Sequence, residues 1–288
     1  MAKQMEYKRY TRSRAGSVIY FIFLLLMGIF SVLPLIYCVC TAFKPLDELL
    51  VFPPRFFVHR PTLENFTILP VLLEKLRVPL SRYMMNSVVI AVVSTSAHIV
   101  VASLAAFALS KSKVKGRMVI FYIVQFSLLY NSTTLAVPQY LIFSKLHLID
   151  TLWVYILPAI PSSMGVFLMK QYMDSSIPET LLEAARIDGA NPYRIYWGIV
   201  MPLTKPAWMT LLLFAFQNIW SVTPANGTIF SEQLKILPSV LSSVAVGGTA
   251  RAGAAMATTV LLMIPPIIVY FISQSHVMET MSNAGMKG

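Results

Sequence analysis

Glu183, Arg186 and Asp188 fall within six consecutive positions, in the run Glu183-Ala184-Ala185-Arg186-Ile187-Asp188-Gly189 that follows Leu181-Leu182. Residues three apart on a helix are neighbours, so Glu183 and Arg186 share a face beside Leu181, Leu182, Ala184 and Ala185. No nucleophile stands with a base here, as covalent catalysis would need. The set suits recognition: an apolar knob with charge at its rim, made to be held by another protein.

A second polar set lies in stretches that otherwise avoid charge. Gln125, Tyr130, Asn131, Gln217, Asn218 and Trp220 supply amides, a hydroxyl and aromatic faces. Amides and hydroxyls bond the hydroxyls of an uncharged polyol, and aromatic rings add apolar contact with a polar tip. These six are the candidate substrate path, although the same groups can also bond one helix to another.

Missing chemistry narrows the mechanism. No G-x-x-x-x-G-K-[ST] phosphate loop is present, so this chain is not expected to hydrolyse ATP. Proton-driven carriers relay protons through buried carboxylates, and the charge-free stretches hold none. His98 is the one ionisable Asp, Glu, Lys, Arg or His deep in such a stretch, and is expected to be a neutral imidazole bonded to a neighbouring helix. The four histidines fall in separate segments, and Cys38 and Cys40, two apart, face different sides of a helix, so neither a metal site nor a disulfide is expected.

The scaffold for these residues is a membrane one. The chain has 288 residues, 12% of them charged, and a mean hydropathy of +0.69, against about 25% charged residues in an ordinary soluble domain. Six windows contain no Asp, Glu, Lys or Arg: 16–43, 83–109, 118–144, 151–169, 207–231 and 252–278. About 20 apolar residues cross a bilayer core of roughly 30 Å, and only helices satisfy their backbone there without an edge. The expected fold is an all-α membrane protein with six transmembrane helices. Window 16–43 exceeds the apolar core of a signal peptide and lacks a small-residue cleavage site, so it reads as a retained anchor after a basic terminus 1–15.

Charge sets the orientation. With both termini in the cytoplasm, the segments 1–15, 110–117, 170–206 and 279–288 hold 14 Lys and Arg, against 9 in 44–82, 145–150 and 232–251. The bias is strongest early in the chain, where it weighs most. It explains the net charge of +11 without nucleic acid. Six prolines between 45 and 79 make 44–82 an extended loop with short helical pieces. Small residues in the second window and at the start of the sixth mark close helix packing, and Pro224, Asn226 and Gly227 interrupt the fifth.

The first set of residues lies in the polar segment 170–206. Ser176-Ile177-Pro178-Glu179 reads as a capping box, with Ser176 the N-cap and Glu179 reaching back. Gly189 is placed to end that helix, and Asn191-Pro192 to start a second one that stops near Pro202.

These residues also carry a resemblance. Glu183-Ala184-Ala185, three residues, Gly189, nine residues, then Ile199-x-x-Pro202 resembles the EAA motif of bacterial ABC importer permeases, with Met201 where Leu is usual. Pro138-x-Tyr140, Leu146-x-Leu148-Ile149-Asp150-Thr151, Asn86-Ser87, Lys115-Gly116-Arg117 and Leu237-Pro238-x-x-Leu241 resemble the carbohydrate-uptake branch, the second permease of the maltose-importer type. The likeness covers residues 80–245. It implies type I permease architecture, a heterodimer with a second permease, two cytoplasmic ABC ATPases that bind ATP and Mg, and an extracellular solute-binding protein. No cofactor and no enzymatic activity would reside in this chain. Leu181, Leu182, Glu183, Ala184, Ala185, Arg186, Asp188 and Gly189 would form the coupling segment. Gln217-Asn218-Ile219-Trp220 departs from the family's Trp-Asn-Asp/Glu-Phe pattern, and only Asn218 matches it. The alternatives are the same architecture with peptide, amino acid or polyol phosphate as cargo, or an autonomous secondary carrier.

Overall fold

The structure is a computed structural model that describes residues 14–74, 77–112, 115–129, 132–222 and 227–285, and among these no β-strand occurs. Helix α1 runs Arg14–Ala42, and the outer loop carries α2 (Leu46–Leu49) and α3 (Glu64–Glu74). The long α4 (Leu80–Lys111) is followed by α5 (Arg117–Ser127) and α6 (Ala136–Lys145), then α7 (Trp153–Ala159) and α8 (Ser163–Ser176). The polar segment holds α9 (Glu179–Ile187), α10 (Pro192–Ile195), a π-helical turn (Tyr196–Val200) and α11 (Met201–Leu203). Helices α12 (Lys205–Ser221), α13 (Leu237–Ala245) and α14 (Ala252–Gly285) complete the chain.

Among the described residues, four helices are long and apolar enough to cross a membrane: Gly16–Ala42, Leu80–Lys111, Trp153–Ser176 and Gly248–Ser275. A fifth crossing exists if Pro192–Leu203 and Lys205–Ser221, bent by 79°, form one span. The bend falls between Pro202 and Pro206, each of which removes a backbone donor from the helical ladder. Thr204 fills the corner, fully buried, its hydroxyl bonded to the Val200 carbonyl at 2.8 Å.

Three of the expected windows differ from the helices that form. Window 118–144 is not one helix: α5 ends at Ser127, and α6 begins after a 3₁₀ turn at Ser132–Leu135. Pro138 has no backbone N–H and fits only the first turn of a new helix. The fourth span breaks at residues 160–162: Ile160 keeps helical angles at φ −69°, ψ −54°, Pro161 has no N–H to continue the ladder, and Ser162 recaps the chain by accepting from Gly165 N–H at 2.9 Å. It then runs seven residues past window 151–169, so the expected boundary at Lys170 lies inside α8. In the fifth window, α12 stops at Ser221; what was expected as an interruption is the end of the helix, and residues 230–231 belong to a loop held by Asp150. Pro224 and Asn226 lie outside the described residues, while Gly227 is left-handed at φ +84°.

Helix α4 is the hub of the bundle and packs against α8 and α12, while α14 packs against α12 and α1. Its buried stripe is made of small residues, Ala91, Ser94, Ala102, Ser103 and Ala106, which let backbones approach. Gly165 of α8 shows how close: an added Cβ would sit 3.1 Å from His98 Nε2 and 3.2 Å from Ala102 Cβ. Two apolar cores result. One, centred on Tyr83, Phe216, Trp220 and Leu237, joins the outer loop to α12, α13 and α14; the other, centred on Ala102, Met169, Met173 and Leu182, joins α4 and α8 to α9. From Val18 to Ile36, α1 stands with its large side chains exposed.

Candidate functional site

The expected capping box does not form. Ser176 is the last residue of α8, and Pro178, with no side-chain cap, occupies the N-cap of α9. Proline disfavours helix in the residue before it, and Ile177 is extended there at φ −112°, ψ 107°. Glu179 instead faces Arg186 at 3.8 Å.

The other end of α9 is built as the sequence implies. Gly189 takes φ +79°, its N–H bonds Arg186 O at 3.1 Å, and Ala190 N–H bonds Ala185 O at 3.0 Å. This is a complete Schellman motif, which satisfies the last carbonyls of the helix. Asn191 then caps α10 by accepting from Arg194 N–H at 2.8 Å. Two short helices with a fixed turn result.

The apolar knob divides between two faces. Leu182 is fully buried and Ala185 is buried beside it, and both pack into the core shared with α4 and α8. Leu181, Glu183, Ala184, Asp188 and Gly189 are exposed. Glu183 has no ion pair within 4 Å among the described residues. Three further residues of the segment, not singled out in the sequence, are also exposed: Ile187 is 86% exposed, Tyr193 75% and Trp197 53%. Ile187 lies on α9 itself, Tyr193 on α10 and Trp197 in the π-helical turn that follows. Arg186 points the other way, its Nη2 donating to Lys111 O at 3.2 Å.

Behind this face, the C-terminal end of α4 is heavily bonded. Lys111 Nζ donates to Ile177 O at 2.7 Å, and Arg117 Nη1 donates to the carbonyls of Ser110 at 3.1 Å and Ser112 at 2.8 Å. The Ser110 hydroxyl donates to Asp174, whose other oxygen pairs with Lys170 at 2.5 Å. Lys170 also lies 4.4 Å from the ring centre of Phe121. Tyr196, which follows α10, shares a 2.6 Å hydrogen bond with Ser103 of α4.

A cavity of about 420 Å³ opens among α4, α6, α7 and α12, within the size range of small-molecule sites. Among the described residues, His98, Gln139, Tyr140, Tyr155, Asn218 and Thr228 are its polar lining, and no Lys, Arg, Asp or Glu lines it. Of the candidate path residues that the structure describes, only Asn218 lines this cavity. Gln217 is exposed beside it and Gln125 half-buried on α5. Trp220 is buried, stacked on Phe216 at 5.6 Å, with its indole N–H bonded to Leu262 O at 2.9 Å. Tyr130 and Asn131 lie outside the described residues. His98 bonds the neighbouring α7 through Nδ1, 2.8 Å from Ala159 O. Its Nε2 and the Tyr155 hydroxyl are buried with no partner among the described residues. Nothing in the spacing of Gln139 or Tyr155 distinguishes them from packing residues; they meet at the cavity from different helices, Gln139 and Tyr140 on α6 and Tyr155 on α7. Among the described residues no cluster of His, Cys, Asp and Glu could hold a metal, and Cys38 and Cys40 are free thiols.

Residues 2–283 match the family of binding-protein-dependent transport system inner membrane components. The chain belongs to this family. It is therefore a transport permease component, a multi-pass protein of the cytoplasmic membrane, and not itself an enzyme. The inner membrane ABC transporter permease protein YcjP of Escherichia coli is 28% identical over 290 residues, covering 99% of this chain and all of that one. The polygalacturonan/rhamnogalacturonan transport system permease protein YtcP of Bacillus subtilis is 26% identical, covering 96% and 100%. The sn-glycerol-3-phosphate transport system permease protein UgpE of Yersinia pestis is 28% identical over 201 residues, covering 68% and 70%. In fold, the chain matches a bacterial ABC transporter involved in the import of the acidic polysaccharide alginate, with a TM-score of 0.74, 23% identity, and coverage of 92% and 99%.

Proposed function

We propose that this chain is one permease subunit of an ATP-driven importer that moves a carbohydrate across the cytoplasmic membrane by alternating access. In this reading it crosses the membrane six times, with α5 and α6 together as the third crossing and both termini in the cytoplasm. A second, homologous permease completes the pathway. Two cytoplasmic ABC ATPases bind ATP and Mg, and an extracellular binding protein delivers the cargo.

The observation that carries the reading is α9: a helix closed by a Schellman turn, with a fully buried Leu182 behind and an exposed face of Leu181, Glu183, Ala184 and Ile187 in front. An apolar face rimmed by charge and rigidly backed is the chemistry of a docking element. Within the family it is the coupling segment that seats in an ATPase groove. A pathway without buried carboxylates has no proton relay of its own, so the driving force enters at this face.

Relatives named for polygalacturonan, rhamnogalacturonan and sn-glycerol-3-phosphate support a polyol or saccharide cargo. The cavity lining favours an uncharged one from this subunit's side, because among the described residues it offers amides, hydroxyls and an imidazole and no Lys or Arg. Asn218 is the path residue best supported.

The test is reconstitution with the transporter subunits encoded beside it and the binding protein, followed by ATPase stimulation across neutral saccharides, uronate oligosaccharides, peptides and polyol phosphates. Stimulation by a saccharide is the expected result. Stimulation by peptides alone, or uptake by this chain without any ATPase, overturns the reading.

A further inference from the structure

Helix α9 is joined to α4 by a reciprocal pair of hydrogen bonds. Lys111, the last residue of α4, reaches forward to the Ile177 carbonyl in the linker that enters α9, and Arg186 of α9 reaches back to the carbonyl of Lys111 itself. The last carbonyls of a helix have no partner within it and carry the negative end of its dipole, so a cation there is favourable. Lys111 is only 7% exposed. Pulling Ile177 away would leave a buried ammonium without its acceptor, an arrangement that low-dielectric surroundings strongly oppose. The apolar contacts of Leu182 and Ala185 hold α9 close but are not directional, so they allow sliding; the two hydrogen bonds fix its register on α4.

We propose that Lys111 and Arg186 form a clamp that makes α9 and α4 one rigid body, so that displacement of the coupling helix is delivered directly to the span packed on α8 and α12. The proposal rests on α9 being the ATPase-docking helix. Lys111 is then a positioning residue: it touches neither the ATPase nor the cargo. Arg186 belongs to the clamp and leaves Glu183 as an outward charge of α9 with no ion pair among the described residues. The Ser110–Asp174–Lys170 chain extends the same body to α8.

The test uses the assembled transporter, with Cys38→Ala and Cys40→Ala and spin labels on Thr180→Cys of α9 and Val101→Cys of α4, both exposed. Distances are measured without nucleotide and after trapping with Mg-ATP and vanadate. With Lys111 present, the distance is expected to stay unchanged on trapping. With Lys111→Met, trapping is expected to shift or broaden it beyond the width of the unsubstituted distribution. A purely structural Lys111 would lower the melting temperature and leave the distance indifferent to nucleotide, which overturns the clamp. So does a shift on trapping with Lys111 in place. Should Lys111→Met fail to assemble, Arg186→Gln severs the other bond from a side chain that is 38% exposed, with the same outcomes deciding. A complex with Lys111 and Arg186 intact that hydrolyses no ATP overturns the permease reading and the clamp together; one that hydrolyses ATP but shows no effect of either variant overturns the clamp alone.

Discussion

Asp150 grips Ser231 twice: one carboxylate oxygen accepts from its N–H at 2.8 Å, the other from its hydroxyl. The first oxygen also accepts from Phe230 N–H at 2.9 Å, and the Asp150 N–H donates to Thr228 O at 2.9 Å. Thr228 lines the cavity, so this grip pins a wall of the cavity to the turn between α6 and α7. The Ser231 hydroxyl, then its N–H, hold the Asp150 carboxyl below its usual 3.8, with the Phe230 amide adding to them against a small opposing effect of burial. A lowered carboxyl pKa stabilises the grip above the ordinary value and is lost as pH falls through the lowered one. Hydrogen exchange at Phe230 and Ser231 should therefore keep constant protection from neutral pH down to about 4 and lose it below. Asp150→Ala should remove that protection at every pH. Protection indifferent to both changes would remove the grip.

Gly189 sits in open space, with nothing within 4 Å of an added Cβ, so only its φ of +79° restricts substitution. A left-handed backbone costs an ordinary L-residue about 1–2 kcal/mol, less for asparagine and more for a β-branched side chain. Gly189→Asn should keep transport, Gly189→Ala lower it, and Gly189→Val abolish ATPase-coupled uptake while the membrane spans still assemble. Equal activity across the three would mean that the turn is not needed for coupling.

Glu183 and Leu182 are adjacent in sequence and opposite in consequence. Leu182 is fully buried, so Leu182→Ala should cost about 2–5 kcal/mol and show in the melting temperature. Glu183 is exposed and unpaired among the described residues, so Glu183→Lys should move stability by no more than about 0.5 kcal/mol. It should nonetheless weaken retention of the ATPase subunits during purification and abolish coupled uptake. Wild-type transport by Glu183→Lys would remove this face from the coupling surface.

The contrast between these two residues shows what the sequence could carry. Helix periodicity, the Gly189 stop and the Asn191-Pro192 start were legible because each is a local backbone preference. Charge-free length marked the four helices long and apolar enough to cross a membrane, because composition alone sets that property. The breaks within 118–144 and at 160–162 were not, because an apolar window reports lipid compatibility and says little about helical continuity. Ser176 matched a capping motif that the continuation of α8 overrode; Pro178 alone decided where α9 begins. The roles of Arg186 and Trp220 were set by tertiary partners, Lys111 and Leu262, 75 and 42 residues away in sequence. Those partners leave no mark on local spacing.

Tyr155 and Asn218 separate cargo binding from packing in the cavity. A buried polar group without a partner costs about 1–3 kcal/mol, and the Tyr155 hydroxyl has none among the described residues. Tyr155→Phe removes only that hydroxyl, so the melting temperature should stay level or rise. If the hydroxyl serves the cargo in some stage of the cycle, the same variant should raise the KM for uptake. Asn218 lines the cavity and is exposed there, so Asn218→Ala should also raise KM, with little effect on folding. The two losses should be less than additive if both side chains contact the same sugar, since neighbouring sites couple. Uptake measured with the saccharide that stimulates ATP hydrolysis gives the comparison. A KM unmoved by either substitution would assign Asn218 to the surface of the cavity without a part in binding, and would assign the Tyr155 hydroxyl to the cost of packing a tyrosine between α4 and α12.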